Sequence, residues 1–496
     1  MCSIAGLFRY GVWANSTEMN EALDYLNALI VSGADRGRDS FGVLAAGVTD
    51  NGHVHLQKRK WPGSPLELSK GLQGYFAQVA AQASLTGELP SVIINNDRAE
   101  PTTEWVALKL DDAIQPFETG AWAITHNGTI ANDKEVFERC ASYPPAPIDS
   151  YALSTVFDYT FGDTLPSVER VRDMLNAQVV GSYAFAAVNK YRPEMLYLGV
   201  NYKPLTLVHN RRLRTVFFTS LEGYAQSKSL WTLELLSDPM IQITRVPAYT
   251  VVQLSSFMGQ LQIDYATLRE PPNDKVLIVC SGGLDSTTAA AIHKAEGKEI
   301  GLVHFRYGCQ AETKEVEAVR AIGEYYQCPV YWIDVPSFSQ VIGGSTLFQK
   351  DAFVTTREGV SGAEFAHEWV PARNLVFLSM AVALAEAKGY GYVSSGINLE
   401  ESGAYPDNEM EFILRLREVM PYAVGPNSRV ELLMPVGNMM KHEIVAAGLY
   451  HEAPLHLTWS CYGDGEYHCG KCGPDFMRRR AFEMAGAVDP VKYADQ

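Results

Sequence analysis

The sequence contains no run of eighteen apolar residues, and its first residues lack the charged-then-apolar layout of a secretory signal. A membrane span is therefore not expected, and a cytoplasmic location is. Cysteine is scarce, with 8 in 496 residues, which excludes a disulfide scaffold. Basic charge is short as well. Lys and Arg number 41 against 57 Asp and Glu, a net charge of -16, and so acidic a chain is not built to bind nucleic acid over a broad surface. Repeats, low-complexity tracts and long charge runs are also missing. What remains is an ordinary globular composition, 47% hydrophobic and 20% charged, at a length that suits two or three domains with their own cores.

The stretch Val276-Leu277-Ile278-Val279-Cys280-Ser281-Gly282-Gly283-Leu284-Asp285-Ser286-Thr287 organises the reading of the chain. It predicts a buried apolar strand, a loop of small residues, then a helix opening on Asp285, Ser286 and Thr287. Glycines let a ligand approach the backbone closely, and a helix N-terminus offers unpaired N–H groups and the positive dipole end. An anion, most simply a phosphate, fits such a loop. No Lys follows the glycines, so this is not the Gly-x4-Gly-Lys-Ser/Thr loop of the kinase-type nucleotide binders. Ser281-Gly282-Gly283-Leu284-Asp285-Ser286 instead resembles the signature of the PP-loop ATP pyrophosphatases. That resemblance implies cleavage of ATP to AMP and pyrophosphate, with Mg2+, and transfer of AMP to an oxygen of the substrate.

At the other end of the chain, Cys2 directly follows the initiator, which a small side chain normally allows to be removed. Cys2 would then offer a thiol beside its own α-amine, whose ordinary pKa near ~8 suits a base. Downstream come Arg36-Gly37-Arg38-Asp39-Ser40-Phe41-Gly42, Asn95-Asn96-Asp97-Arg98, His126-Asn127-Gly128-Thr129-Ile130 and Ile148-Asp149-Ser150. In order and approximate spacing these resemble the class II glutamine amidotransferases. The resemblance implies that Cys2 attacks the glutamine amide and that Asn127 and the Gly128 N–H form the oxyanion hole. It also implies that Arg36, Arg98 and Asp149 bind glutamine. One departure is the Asn95-Asn96-Asp97 lead-in, where the family usually has His or Thr. Strands are read at Gly181 to Ala187, Leu196 to Gly199 and Val216 to Ser220, and the family's fold is an Ntn-hydrolase sandwich of two antiparallel sheets between helical layers.

The polar, proline-bearing run Arg269-Glu270-Pro271-Pro272-Asn273-Asp274 marks a boundary, giving domains of 1–268 and 269–496. Beyond it, further strands are read at Gly301 to Phe305, Val330 to Val335 and Tyr392 to Gly396, with helices at Glu315 to Tyr326 and Leu375 to Lys388. That alternation predicts a doubly wound parallel sheet with its ligand at the carboxyl ends of the strands. Gly343-Gly344-Ser345-Thr346-Leu347, Val370-Pro371-Ala372-Arg373-Asn374, Gly396-Ile397-Asn398, Tyr405-Pro406-Asp407, Thr458 to Gly463, Cys469-Gly470-Lys471-Cys472 and Arg478 resemble the 7-cyano-7-deazaguanine synthases. The resemblance implies ATP contacts from Ser281, Gly282, Gly283, Asp285, Ser286 and Arg373, and substrate contacts from Asn398, Tyr405 and Asp407. Cys461-x7-Cys469-x2-Cys472 has zinc-site spacing. The family's fourth cysteine is replaced by Asp475, which zinc also accepts, with His468 an alternative, so a structural zinc-binding segment is expected over 461–475. Further departures are Cys309, Glu400-Glu401 and Asn408-Glu409.

The whole chain thus resembles fused amidotransferase and cyano-deazaguanine synthase-like proteins. The function implied is a glutamine- and ATP-dependent ligase that forms an amide or nitrile on a 7-carboxy-7-deazaguanine, or an amidine on a nitrile-bearing one. Conjugation of a deazaguanine to a protein amine in anti-phage defence is a second reading, and asparagine-synthetase-like amidation a third, against which the C-terminal cysteines count. A degenerate nucleotide-binding scaffold is the reading from another class. A macromolecular acceptor and a homodimer are left open.

Overall fold

The computed structural model describes residues 2–48, 54–87, 89–99, 111–146, 148–226, 240–336, 346–348, 369–402, 405–425 and 428–494. The chain forms two compact units, Met1–Leu268 and Arg269–Gln496.

In chain order the strands of the first unit are β1 (Ser3–Arg9), β2 (Ser40–Val48), β3 (Val54–Trp61), β4 (Val92–Arg98), β5 (Phe117–Thr119), β6 (Trp122–Ile130), β7 (Gly181–Asn189), β8 (Met195–Val200), β9 (Thr206–Asn210), β10 (Thr215–Thr219), β11 (Ile241–Arg245), β12 (Thr250–Phe257) and β13 (Gln260–Thr267). They build two antiparallel sheets, ordered β11-β9-β10-β1-β4-β2-β3 and β13-β12-β8-β7-β6-β5. The inner faces meet in one core, where Ile4, Phe8, Leu44 and Ile94 of the first sheet pack with Ala123, Ala186, Leu198 and Val252 of the second. The outer faces are covered as well. Helices Ser16–Gly33 and Ser69–Thr86 lie on the first sheet through Leu26, Leu29, Leu72 and Phe76, and helices Tyr151–Phe161 and Val168–Gln178 on the second through Phe157 and Leu175. Burial on both faces explains why β1 reads as an unbroken apolar run instead of alternating. This four-layer sandwich is the Ntn-hydrolase arrangement that the amidotransferase resemblance implies.

The second unit holds a parallel sheet of β14 (Lys275–Val279), β15 (Glu299–Arg306), β16 (Val330–Asp334), β17 (Tyr392–Ser395) and β18 (Glu431–Leu433), ordered β16-β15-β14-β17-β18. Helices Arg373–Lys388 and Met410–Ala423 cover one face through Phe377, Leu378 and Ile413. Helices Leu284–Ala295 and Glu312–Tyr326 cover the other through Ala290, Val319 and Ile322. Two differences from the sequence reading have physical causes. β18 was not anticipated, because three residues carry no periodicity. Both anticipated helices begin earlier, at Glu312 and Arg373, because their first turns are polar and belong to the site below. Since β15 lies on one side of β14 and β17 on the other, the chain reverses direction of winding there. In such sheets the crevice at the carboxyl ends is where ligands bind.

Candidate functional site

In the first unit, strand pairing does most of the assembly. β1 and β4 run antiparallel with Ser3 opposite Asp97, which places Cys2 next to Arg98 although the two are far apart in sequence. β2 joins on the other side of β4 with Ser40 opposite Arg98, and Asp39 N–H donates to the Arg98 carbonyl at 3.0 Å. Burial pushes the Cys2 thiol up, the Ala99 carbonyl and Arg98 act against that rise, and Asp149 adds to it. Cys2, Arg98 and Asp149 therefore share one electrostatic neighbourhood. Arg36 lies just beyond helix Ser16–Gly33, half-buried and beside Tyr224.

The unusual lead-in Asn95-Asn96-Asp97 is wholly buried. Asn95 Nδ2 donates to the Gly42 carbonyl at 3.1 Å, and Asn96 Nδ2 donates to the His126 carbonyl at 3.0 Å, crossing from the first sheet to the second. Two amides thus bind the Arg36–Gly42 segment and β6 to the strand that carries Arg98. On β6, Asn127 Nδ2 is buried and has no hydrogen-bond partner among the described residues. An orphaned buried donor of this kind costs free energy unless a ligand takes it up. Gly128 has φ +155°, and a Cβ there would meet the Ser182 carbonyl at 1.9 Å, so only glycine fits. His126 is held between Ser150 Oγ at 2.7 Å and the Ser182 carbonyl at 3.3 Å. Facing a carbonyl, Nε2 must carry the proton, and Nδ1 accepts from Ser150. Asp149 Oδ2 accepts the Ile130 N–H at 2.7 Å, which fixes it beside the same strand.

In the second unit the phosphate loop leaves β14 and enters helix Leu284–Ala295. Gly282 has φ +83°, and a Cβ on it would come to 3.0 Å from both the Glu315 carbonyl and Ala318 Cβ. The loop is braced internally, since Gly283 N–H donates to Ser281 Oγ at 3.2 Å and Thr287 Oγ donates to the Gly283 carbonyl at 2.8 Å. Asp285 Oδ2 is bound by Lys441 Nζ, which also reaches Glu401 Oε1 at 2.7 Å. Burial pushes Asp285 up and Lys441 holds it down. For Lys441 burial works against the charge, and pairing with Asp285 and Glu401 outweighs it. The other Asp285 oxygen, Oδ1, is buried without a partner among the described residues, an acceptor that suits a hard cation such as Mg2+.

Asn398 is spent on the protein, with Nδ2 3.4 Å from Asp285 Oδ2 and Oδ1 accepting the Glu401 N–H at 3.1 Å. Asp407 Oδ2 accepts the Asn374 N–H at 3.0 Å and so caps helix Arg373–Lys388, while Tyr405 stacks on Trp369. Burial works against the Arg373 charge, and Tyr307, Tyr462 and Asp407 restore it. Asn408 is buried between Asn374 and Glu401, and Glu409 is exposed at the start of the next helix. Gly343, Gly344 and Ser345 lie outside the described residues. The sequence reading missed Lys441, whose role depends on Asp285 156 residues away. It also missed Glu315, treated there only as a helix start.

Cys461, Cys469, Cys472 and Asp475 present ligand atoms that all lie within 4.8 Å of one another. Asp475 Oδ2 is 3.3 Å from Cys469 Sγ and accepts the Gly470 N–H at 2.9 Å. Its Oδ1 accepts from His468 Nδ1 at 2.9 Å, so His468 orients the carboxylate from behind. A hydrogen bond from Cys472 leads in drawing the Cys461 thiol down to about 7. Three sulfurs and a carboxylate oxygen at this spacing fit a four-coordinate metal ion. The segment is tied to the phosphate loop. Trp459 N–H donates to the Gly282 carbonyl at 2.8 Å, the indole lies against His468 at 4.4 Å, and buried Arg478 grips Thr458 Oγ at 2.6 Å and Asp489 on the far side.

Residues 275–486 match the family described as queuosine biosynthesis protein QueC. Along its whole length the chain is 43% identical to a 7-cyano-7-deazaguanine synthase of Saccharolobus solfataricus, with 100% of both chains covered. The chain belongs to the 7-cyano-7-deazaguanine synthase family. The Sulfolobus acidocaldarius synthase is 42% identical over 99% of this chain and 100% of its own. A shorter synthase from Nautilia profundicola is 38% identical over 220 residues, 44% of this chain and 98% of its own, close to the length of the 275–486 stretch that matches the family model. Among solved structures, the glutamine phosphoribosylpyrophosphate amidotransferase of B. subtilis is 12% identical, with a TM-score of 0.38 over 88% of this chain and 91% of that one. No described helix is long and apolar enough to cross a membrane.

Proposed function

We propose that the protein is a glutamine- and ATP-dependent ligase that aminates an adenylated 7-carboxy-7-deazaguanine and carries the product on to the nitrile. The observation that carries this reading is the full-length identity to relatives named 7-cyano-7-deazaguanine synthase, in a chain that also retains the Cys2, Arg98 and Asn127 constellation. In the first unit the Cys2 thiolate attacks the glutamine amide. The orphaned Asn127 Nδ2 and the Gly128 N–H meet the charge that develops on the amide oxygen. Arg98 holds the substrate carboxylate, with Arg36 in support, and Asp149 holds the ammonium. In the second unit Ser281 to Ser286 cradle the phosphates of ATP, Arg373 supplies fixed positive charge, and the free Asp285 oxygen would hold Mg2+, which neutralises phosphate charge. Asn398, Tyr405 and Asp407 shape the substrate end. Zinc is the ion best suited to the Cys461, Cys469, Cys472 and Asp475 set, in a structural role, because four protein ligands leave no open position.

The test is incubation with ATP, glutamine and 7-carboxy-7-deazaguanine, with mass spectrometry of the base and assay of AMP and pyrophosphate. Amide and then nitrile are expected from the native protein. Cys2→Ala should lose product with glutamine and keep it with added ammonium salt. Absence of any aminated product in the native reaction with either nitrogen source would refute the reading, and product mass separates amide, nitrile and amidine.

A further inference from the structure

Around the carboxyl ends of β14 and β15, most of the described groups able to accept a proton are already committed. Asp285 and Glu401 are paired with Lys441. Asp407 caps a helix. His304 Nδ1 donates to the Cys280 carbonyl at 2.8 Å, and with the residue 2% exposed its other nitrogen is out of reach of a substrate.

Glu315 differs on each count. It sits in the first turn of helix Glu312–Tyr326, where its own carbonyl packs against Gly282 of the phosphate loop. Its hydrogen-bond partner is a thiol, Cys309 Sγ at 3.6 Å from Oε2, a weak donor that leaves the carboxylate basic. Among the described residues, the groups facing it are Cys280 at the end of β14, Tyr307 and Cys309 after β15, Glu312 on its own helix, and Arg373 from the opposite helix. The residue as a whole is partly buried, and its first-turn position keeps it beside the phosphate loop.

We propose that Glu315 accepts the proton of ammonia as its nitrogen attacks the acyl-adenylate held at the phosphate loop. This rests on the ligase reading above and assigns its amination step. The nitrogen lone pair forms the C–N bond, and the bond from the acyl carbon to the phosphate oxygen breaks, with its electron pair leaving on AMP. One N–H proton passes to Glu315 and from there to solvent. In sum, acyl-adenylate plus ammonia gives amide, AMP and one proton. Burial raises the Glu315 carboxyl to about 7, while Cys309 and Arg373 act to lower it. A base that must take up and release a proton near neutrality needs such a value.

The two half-reactions separate this role from a structural one. With the full-length protein, ATP–pyrophosphate exchange dependent on 7-carboxy-7-deazaguanine reports adenylation. Amide formation from ammonium chloride reports amination without recourse to Cys2. In Glu315→Gln, exchange should stay within about twofold of the native rate while amide formation drops about 100-fold. The inflection near 7 in the amination pH profile should vanish with it. Amide formation at the native rate, or a parallel loss of both activities, would overturn the proposal. Should that variant fail to fold, Glu315→Asp sets the carboxyl one methylene back. Retained exchange with amination slowed about tenfold then supports the assignment, and equal loss overturns it. Absence of exchange in the native protein would be a different result, since it strikes the ligase reading itself.

Discussion

At the scale of single residues, the same burial that tunes Glu315 weakens the fold. Its carboxyl titrates at about 7 in the folded chain against an ordinary 4.5. The folded state therefore holds an extra proton between those values. Its contribution is fully present below about pH 4.5 and is lost as pH rises through 7. Glu315→Gln should accordingly stabilise the protein at pH 8 by about 1–3 kcal/mol while leaving stability at pH 4.5 nearly unchanged. Melting temperatures at the two pH values check this, and a stabilisation equal at both would contradict it. A residue whose removal strengthens the fold while it lowers turnover is one kept for chemistry.

Legibility from sequence also divides by residue. Ser281 to Ser286 could be read directly because a phosphate loop is local: six neighbouring residues carry the strand end, the glycines and the helix start. Asn96 could not. Its amide crosses between sheets to the His126 carbonyl, and nothing in Asn95-Asn96-Asp97 states what lies opposite. Lys441 was hidden for the same reason. Glu400 and Glu401, first visible only as a departure from the family pattern, turn out to hold it, with Glu400 accepting the Lys441 N–H at 2.9 Å and Glu401 pairing with its ammonium.

At the scale of elements, the segment carrying the candidate metal ligands acts as a brace for the phosphate loop. From Cys461 the chain runs back through Ser460 and Trp459 to the Gly282 carbonyl, and Arg478 fixes Thr458 and Ser460 from the other side. Without the proposed metal ion, thiols and a carboxylate would be crowded together with no shared cation, and the brace should loosen. Treatment with a strong chelator is expected to weaken binding of a non-hydrolysable ATP analogue about 10-fold, measured by calorimetry, with recovery on adding zinc. Unaltered nucleotide affinity in verified metal-free protein would show that the brace holds without the ion. The fold class was legible at this scale because both units rest on apolar strands set off by turns and helices, whereas β18 escaped notice as three residues supported by pairing with β17.

At the scale of the whole molecule, the two units have separate cores, and the ligase reading gives them separate chemistry. The family model matches 275–486, within the second unit, and the Nautilia profundicola synthase matches over 98% of its length with only 44% of this chain. Residues 269–496 expressed alone should therefore fold and aminate the deazaguanine from ammonium salt while showing no response to glutamine. Circular dichroism together with the product assay would establish both points. Retained use of glutamine by that fragment would place the ammonia source elsewhere than Cys2.

One consequence of the β1 pairing concerns biosynthesis. The strand that follows Cys2 is flanked by β4 on one side and by β10 on the other, with Ala5 opposite Thr219. The first strand to leave the ribosome is thus locked in only after residue 219 has been made, a ladder of high contact order. Until then the strand after Cys2 can pair with β4 but lacks its second neighbour. On the ligase reading above, glutamine hydrolysis at Cys2 is therefore expected only from chains that extend beyond residue 219.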